Sequence, residues 1–353
     1  MKRLDFCSLC GIPLYVGKLH EWMGNGVIVQ NIKATANVFF LESENIDTVF
    51  RTLDRELGVS IEDIVMECTR RGNRRFMEEN IPAPLRRFLS YVPRLTGRLV
   101  SYSGRAVGFG ASEYLGARRK GDKRDCLAYI LHDPYSLTSL LADALGVAEA
   151  FTGKDGIVDS FPLGDDSYLM IIRAGEHRSG LEERLRLQRL PLKEFDSHVP
   201  RCGRCRLPLE LSERYVWDME KGFILSRASG RRMVITGFDN YEAVFREIEG
   251  EVGQEISQAI VDAQRLFVRE TAWEENWLEN EGALQRNLGL RGLGYVTAFS
   301  REDAGISLSI ANCLIPKQVV GMLQGFYELQ ARRDNSDCSW SVAEGGDLKI
   351  EFS

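Results

Sequence analysis

Cys7-Ser-Leu-Cys-Gly-Ile-Pro-Leu14 and Cys202-Gly-Arg-Cys-Arg-Leu-Pro-Leu209 are two copies of one octapeptide, 195 residues apart in a chain of 353. The register holds beyond the cysteines. Trp22 falls on Trp217, Phe50 on Phe245, Gly58 on Gly253 and Ile61 on Ile256, all at that same offset. Gly26-Val-Ile28 falls on Gly222-Phe-Ile224 after one inserted residue. A fainter likeness continues with Gly108-Phe-Gly110 against Gly292-Leu-Gly294 at an offset of 184. Asp133 and Gly146 match Asn312 and Gly325 at an offset of 179. A repeat this long exceeds any solenoid unit and reads as domain duplication. The expected organisation is repeat 1 over residues 1–173, a charged helical linker over 174–201 and repeat 2 over 202–353.

The length suits two domains, each large enough for its own core. A net charge of −6 argues against general nucleic-acid affinity. No apolar run approaches the roughly 20 residues of a membrane span, so no membrane partner is expected. Met1-Lys-Arg-Leu-Asp-Phe-Cys has no apolar signal core, which points to the cytoplasm. The eight cysteines are then thiols or ligands and not a disulfide framework.

Along the chain, Val27-Ile-Val and Ala36-Asn-Val-Phe-Phe-Leu predict strands. Val49, Phe50, Leu53 and Leu57, then Ile61, Ile64 and Val65, recur at helical spacing, with Gly58 separating two helices. The second of these carries Arg70, Arg71, Arg74 and Arg75, and a short helix follows over 83–92. Gly97 to Gly116 is glycine-rich. Cys126 to Leu131 predicts a strand, Asp133-Pro-Tyr-Ser a helix start, and Leu137 to Phe151 an apolar helix ended by Gly153. Two strands close the half. The linker holds a helix candidate, Leu181 to Leu190, and the second half repeats the order. The fold class is α+β, each repeat being a Cys-x-x-Cys knuckle plus helices packed on a twisted antiparallel sheet.

Two Cys-x-x-Cys pairs supply four thiolates, the set a tetrahedral structural zinc takes. The first knuckle resembles that of zinc ribbons and rubredoxins. Neither half has a second pair nearby, so neither closes a four-cysteine site alone. The simplest solution is one site shared by Cys7, Cys10, Cys202 and Cys205, with Zn as the commoner occupant and iron as the alternative. Free dithiols are the other reading. A redox role is disfavoured, since Pro13 and Pro208 follow where a helix would have to start. His20 and His198 are further ligand candidates.

Gly292-Leu-Gly294 to Phe352 resembles the vinyl-4-reductase-like domain family. The resemblance lies in the Gly-x-Gly entry, the strand ending near Asn312, the small-residue helix Gly321-Met-Leu-Gln-Gly325-Phe and closing strands opened by Asp337-Cys338. Gly108-Phe-Gly110 to Ile172 follows the same plan. The resemblance implies a small-molecule-binding domain with helices on an antiparallel sheet. It also implies a zinc site for which Cys313 and Cys338, with Asn335, Asp337 or Asp347, stand in corresponding places. The ligand pocket would sit at the late helices, around Gly146 in one half and Met322, Gly325, Phe326 and Tyr327 in the other.

Catalysis finds little support. The four histidines belong to no nucleophile motif, and the two Gly-x-Gly pairs lack the third glycine of a dinucleotide fingerprint. The sequence therefore points to a non-enzymatic zinc protein that binds a small molecule or a partner protein. It would act as a monomer with pseudo-two-fold symmetry or as a homodimer. A second reading is a nucleic-acid-associated regulator using Arg70, Arg71, Arg74 and Arg75, joined by Arg86, Arg87 and Arg118 to Lys120. Ala263, Gln264 and Phe267 stand opposite that cluster in the second half, which would make it no part of the shared fold.

Overall fold

The computed structural model describes residues 5–32, 36–58, 60–118, 124–176, 191–197, 199–253, 256–271, 276–302, 305–343 and 346–353. The linker helix candidate at Leu181–Leu190 and His198 lie outside the described residues. The chain is α+β, with antiparallel sheets.

The N-terminal part runs α1 (Leu14–Leu19), β1 (His20–Trp22), β2 (Ile28–Gln30), β3 (Ala36–Glu42), α2 (Ser43–Leu57), α3 (Glu62–Asn80), α4 (Ala83–Tyr91), α5 (Pro93–Ala106), β4 (Ala111–Arg118), β5 (Cys126–His132), α6 (Leu137–Thr152), β6 (Gly156–Gly164) and β7 (Ser167–Ala174). The C-terminal part runs α7 (Leu209–Arg214), β8 (Tyr215–Asp218), β9 (Phe223–Ser226), β10 (Arg232–Gly237), α8 (Phe238–Val252), α9 (Ile256–Glu270), α10 (Glu281–Arg291), β11 (Tyr295–Glu302), β12 (Gly305–Ala311), α11 (Pro316–Ala331), β13 (Cys338–Val342) and β14 (Leu348–Phe352). One helix position differs, since α10 stands where the first part has both α4 and α5. The glycine-rich stretch is helical as far as Ala106, because Pro93 at the first turn fixes φ and starts α5, and it enters β4 at Ala111.

Three strands from each part form one six-stranded sheet, β1-β2-β3-β10-β9-β8. Its centre is the antiparallel pair β3–β10, in which Phe40 lies opposite Ile235. Those two residues are themselves 195 apart. Val38 to Leu41 is apolar without alternation because both faces of this sheet are covered. Phe39, Leu41 and Val234 face a core built with α2, α3, α8 and α9. Val38, Phe40, Met233 and Ile235 face a second core that includes Cys7, Cys202 and both tryptophans of the ribbons. Phe50 and Phe245, again 195 apart, meet at a ring distance of 6.0 Å.

The two four-stranded sheets, β4-β5-β7-β6 and β11-β12-β14-β13, are each local to one part. They are tied back by a reciprocal exchange of contacts. The Trp22 indole donates to the Leu290 carbonyl at 2.8 Å, and the Trp217 indole to the Ala106 carbonyl at 3.0 Å. Gly294 N–H donates to Gly26 O, and Gly110 N–H to Gly222 O, both at 3.0 Å. The Gly-x-Gly motifs are thus docking points for the opposite ribbon. A Cβ on Gly26 would lie 2.1 Å from Gly294 O, and one on Gly222 would lie 2.2 Å from Gly110 O. Both glycines also have positive φ, +81° and +72°. Gly26→Ala should therefore lower stability by about 2 kcal/mol or more. Gly116→Ala, where an added Cβ meets nothing within 4 Å, should change it little. Urea unfolding of the two variants side by side checks this.

Candidate metal centre and cavity

Each knuckle is a tight turn closed by two backbone bonds. Cys7 N–H donates to Ile12 O at 2.8 Å and Gly11 N–H to Cys7 O at 2.9 Å. Cys202 N–H donates to Leu207 O at 2.8 Å and Arg206 N–H to Cys202 O at 3.0 Å. Gly11 and Arg206 both adopt positive φ, +74° and +66°, so the second knuckle bears a left-handed arginine where the first has glycine. The β3–β10 pairing brings the two turns face to face. Cys7 Sγ lies 3.7 Å from Cys202 Sγ, and Cys10 Sγ lies 3.4 Å from Cys205 Sγ. All four sulfurs lie within 4.8 Å of one another. A disulfide would need about 2.05 Å. A tetrahedral ion bonded at about 2.3 Å sets its sulfurs about 3.8 Å apart, so the four-sulfur group can hold a metal ion.

The electrostatics of the two knuckles match. The amides of Cys205 and Arg204 point at Cys202 Sγ and pull its thiol down to about 6, against burial. Burial pushes the Cys7 thiol up, but the amides of Cys10 and Leu9 outweigh it and the net shift is downward. Burial dominates at Cys10 and Cys205 and holds both thiols up, although each receives one amide, from Ile12 and Leu207. One thiol of each turn is thus biased toward ionisation, and a cation among the sulfurs would favour ionisation of the other.

Among the described residues, no other group of three or more His, Cys, Asp or Glu side chains converges in this way. Buried His20 sits apart, its Nδ1 3.3 Å from Val16 O, and burial lowers its imidazole to about 4. Cys313 is buried, and burial raises its thiol and that of Cys338.

The arginine cluster of α3 is not an open patch. Arg70 is buried and bonds Glu67 at 2.7 and 3.0 Å and Glu149 at 2.5 Å. Arg71 pairs with Glu67, Arg74 with Asp155 and Glu78, and Arg75 with Glu79. The expectation that the cluster has no counterpart is also corrected. At the 195-residue offset Arg70 and Arg74 fall on Arg265 and Arg269. These bond the fully buried Glu328 at 2.9 and 3.1 Å. Glu149 and Glu328 are 179 apart, the offset of the late helices. Each carboxylate also accepts from the start of the closing strands, from Gly156 N–H at 2.9 Å and from Ser336 Oγ at 3.0 Å. The arginines therefore clamp α3 to α6 and α9 to α11. Sequence reasoning missed this pair of clamps, although the offsets contained it.

Gly146 and Gly325 serve the same packing. A Cβ on Gly146 would meet Arg70 O at 2.2 Å, and one on Gly325 would meet Arg265 O at 2.9 Å. Met322, Phe326 and Tyr327 are buried in the core. The Phe326 ring stacks on fully buried Trp277 at 4.8 Å, and Tyr327 stacks on Phe352 at 5.3 Å.

A cavity lies in the N-terminal half. It occupies about 480 Å³ between α3, α4, α5, α6 and the sheet β4-β5-β7-β6. Leu89, Val100, Val147, Phe151, Met170 and Ile172 make its walls mostly apolar. Asn73 and Asp143 add a polar corner, where Tyr135 Oη donates to Asp143 Oδ2 at 3.0 Å. Burial raises the Asp143 carboxyl to about 7, opposed by the bonds from Tyr135 and Asn73. The asymmetry has a simple origin. Asp143, Val147 and Ala148 occupy the positions that Met322, Phe326 and Tyr327 hold 179 residues later. Large side chains fill the C-terminal space, and smaller ones leave the N-terminal space open.

Comparison with known protein families, with curated proteins and with solved structures finds no match to this chain.

Proposed function

We propose that the chain is a tandem duplication, stapled by one structural zinc, whose N-terminal repeat binds a small apolar molecule. The duplication is supported by four pairs of residues 195 apart that meet one another: Cys7 with Cys202, Cys10 with Cys205, Phe40 with Ile235, and Phe50 with Phe245. A single pseudo-two-fold axis accounts for all four. Zinc is favoured because four thiolates at near-tetrahedral spacing fill its coordination shell and leave no position for substrate. The site would be a closed structural one, joining two knuckles that cannot each complete it. The family likeness to vinyl-4-reductase-like domains remains part of this proposal, as does the absence of catalysis.

The observation that carries the binding role is the cavity. It falls within the roughly 300–1,000 Å³ of ordinary ligand sites and pairs apolar walls with a few convergent polar groups. The nucleic-acid reading through Arg70, Arg71, Arg74 and Arg75 is the less favoured one, because each of the four pairs with a carboxylate.

Metal analysis of the purified protein should give one zinc per chain. Cys7→Ser and Cys202→Ser should each lower the zinc content by the same large fraction. Two zincs per chain, or a loss confined to one variant, would contradict a shared site. Ligand binding is checked with the neutral fluorophore N-phenyl-1-naphthylamine. The wild type should bind it, and Val147→Phe/Ala148→Tyr, which copies the filled C-terminal packing, should weaken binding about tenfold or more. Equal affinity in the filled variant would remove the cavity from consideration.

A further inference from the structure

Helices α4 and α5 do more than roof the cavity. Their inner faces reach it through Leu89, Thr96 and Val100. Leu85, Phe88, Tyr91, Leu95 and Leu99 are 47–64% exposed. Spacings of three and four residues put the first three on one stripe of α4 and the last two on one stripe of α5. No residue of α4 is buried. Large apolar side chains so grouped on a surface mark a contact site.

Along the chain, the charge of α4 and α5 has one sign. Five arginines and no acidic residue lie between Glu79 and Glu113, in a chain whose net charge is −6. Arg87, Arg94 and Arg98 are exposed. Arg86 is instead used internally, donating to the carbonyls of Glu78 and Ile81 at 2.8 and 2.7 Å. Among its described residues the second half has no such element. Between α9 and α10 it carries Glu274, Glu275 and Glu279 and no basic residue. The basic, apolar hairpin is therefore an addition to the duplicated plan and not a requirement of it.

We propose that α4–α5 is an interfacial hairpin that docks the protein on an anionic lipid surface. Such a surface satisfies both halves of the composition at once. Leucine and aromatic side chains enter the boundary between headgroups and acyl chains, and arginines pair with lipid phosphates. A nucleic acid would use the arginines but leave five large apolar groups in water. A second copy meeting this face across a two-fold axis would bring arginine against arginine. No described helix is long and apolar enough to cross a membrane, so the contact is peripheral. It goes beyond the expectation of no membrane partner, and it is independent of what fills the cavity.

The test is co-sedimentation of the full chain with vesicles of phosphatidylcholine alone and with vesicles containing about 30% phosphatidylglycerol. Binding should require the anionic lipid and fall away at about 0.5 M salt, where the Debye length is only a few Å. Arg87→Gln/Arg94→Gln/Arg98→Gln should weaken binding about 100-fold, and Phe88→Ser/Leu95→Ser about tenfold or more. Both variants change exposed residues and should keep the wild-type melting temperature, which separates lost docking from lost folding. No binding by the wild type, equal binding to neutral vesicles, or undiminished binding by both variants would overturn the proposal. So would duplex DNA binding lost in the arginine variant when vesicles are ignored, or a dimer dispersed by Phe88→Ser/Leu95→Ser.

Discussion

The antiparallel pairing of β3 with β10 is the contact on which everything else depends. It joins two three-stranded meanders into one sheet and sets Phe40 opposite Ile235. That register places the two knuckles on one face of the sheet and brings four sulfurs within 4.8 Å. On the other face it lets α2 and α8 pack with α3 and α9 around a shared core. A slip of one residue would turn every side chain of these strands to the wrong face. The pairing is held by apolar burial on both sides and by the reciprocal tryptophan and glycine contacts, so a bound ion would consolidate the association and would not be its sole cause.

The two parts share these constraints and diverge where the constraints end. The carboxylate clamps and the helix-spacing glycines recur in both, because close helix packing needs them. The side chains one turn away are free to differ. In the C-terminal part they fill the space, with Trp277 against Phe326. In the N-terminal part they leave a cavity and a longer, basic helical roof. On the proposed reading one half keeps the frame and the other has been shaped to meet partners.

Much of this was legible in the sequence. The octapeptide and its single register located all four cysteines and made a shared site the simplest completion, because neither half has a second pair nearby. Helices with clear apolar stripes, such as Leu137 to Phe151, were equally plain. The β3–β10 pairing was not, since strand partnership over such a separation leaves no local mark. Nor was the role of the Gly-x-Gly pairs, which depends on a backbone approaching from the opposite part. The arginine clamp was missed for a different reason. Setting Ala263, Gln264 and Phe267 against the first cluster shifts the register by two residues, which on a helix turns the comparison to the opposite face. Held at 195, the register puts Arg265 and Arg269 in place. Gly146 and Gly325 mark the late helices of both halves but signal helix contact and not open space. The informative substitutions were their neighbours, Val147 and Ala148 for Phe326 and Tyr327.

One ion held by sulfurs from both parts is what the stapled arrangement rests on. X-ray absorption at the zinc edge of the metal-loaded protein addresses it most directly. A shared site gives a single shell of four sulfurs at about 2.3 Å with no nitrogen or oxygen neighbour. A mixed shell of two sulfurs with nitrogen or oxygen ligands would show that each knuckle binds on its own, and would contradict it.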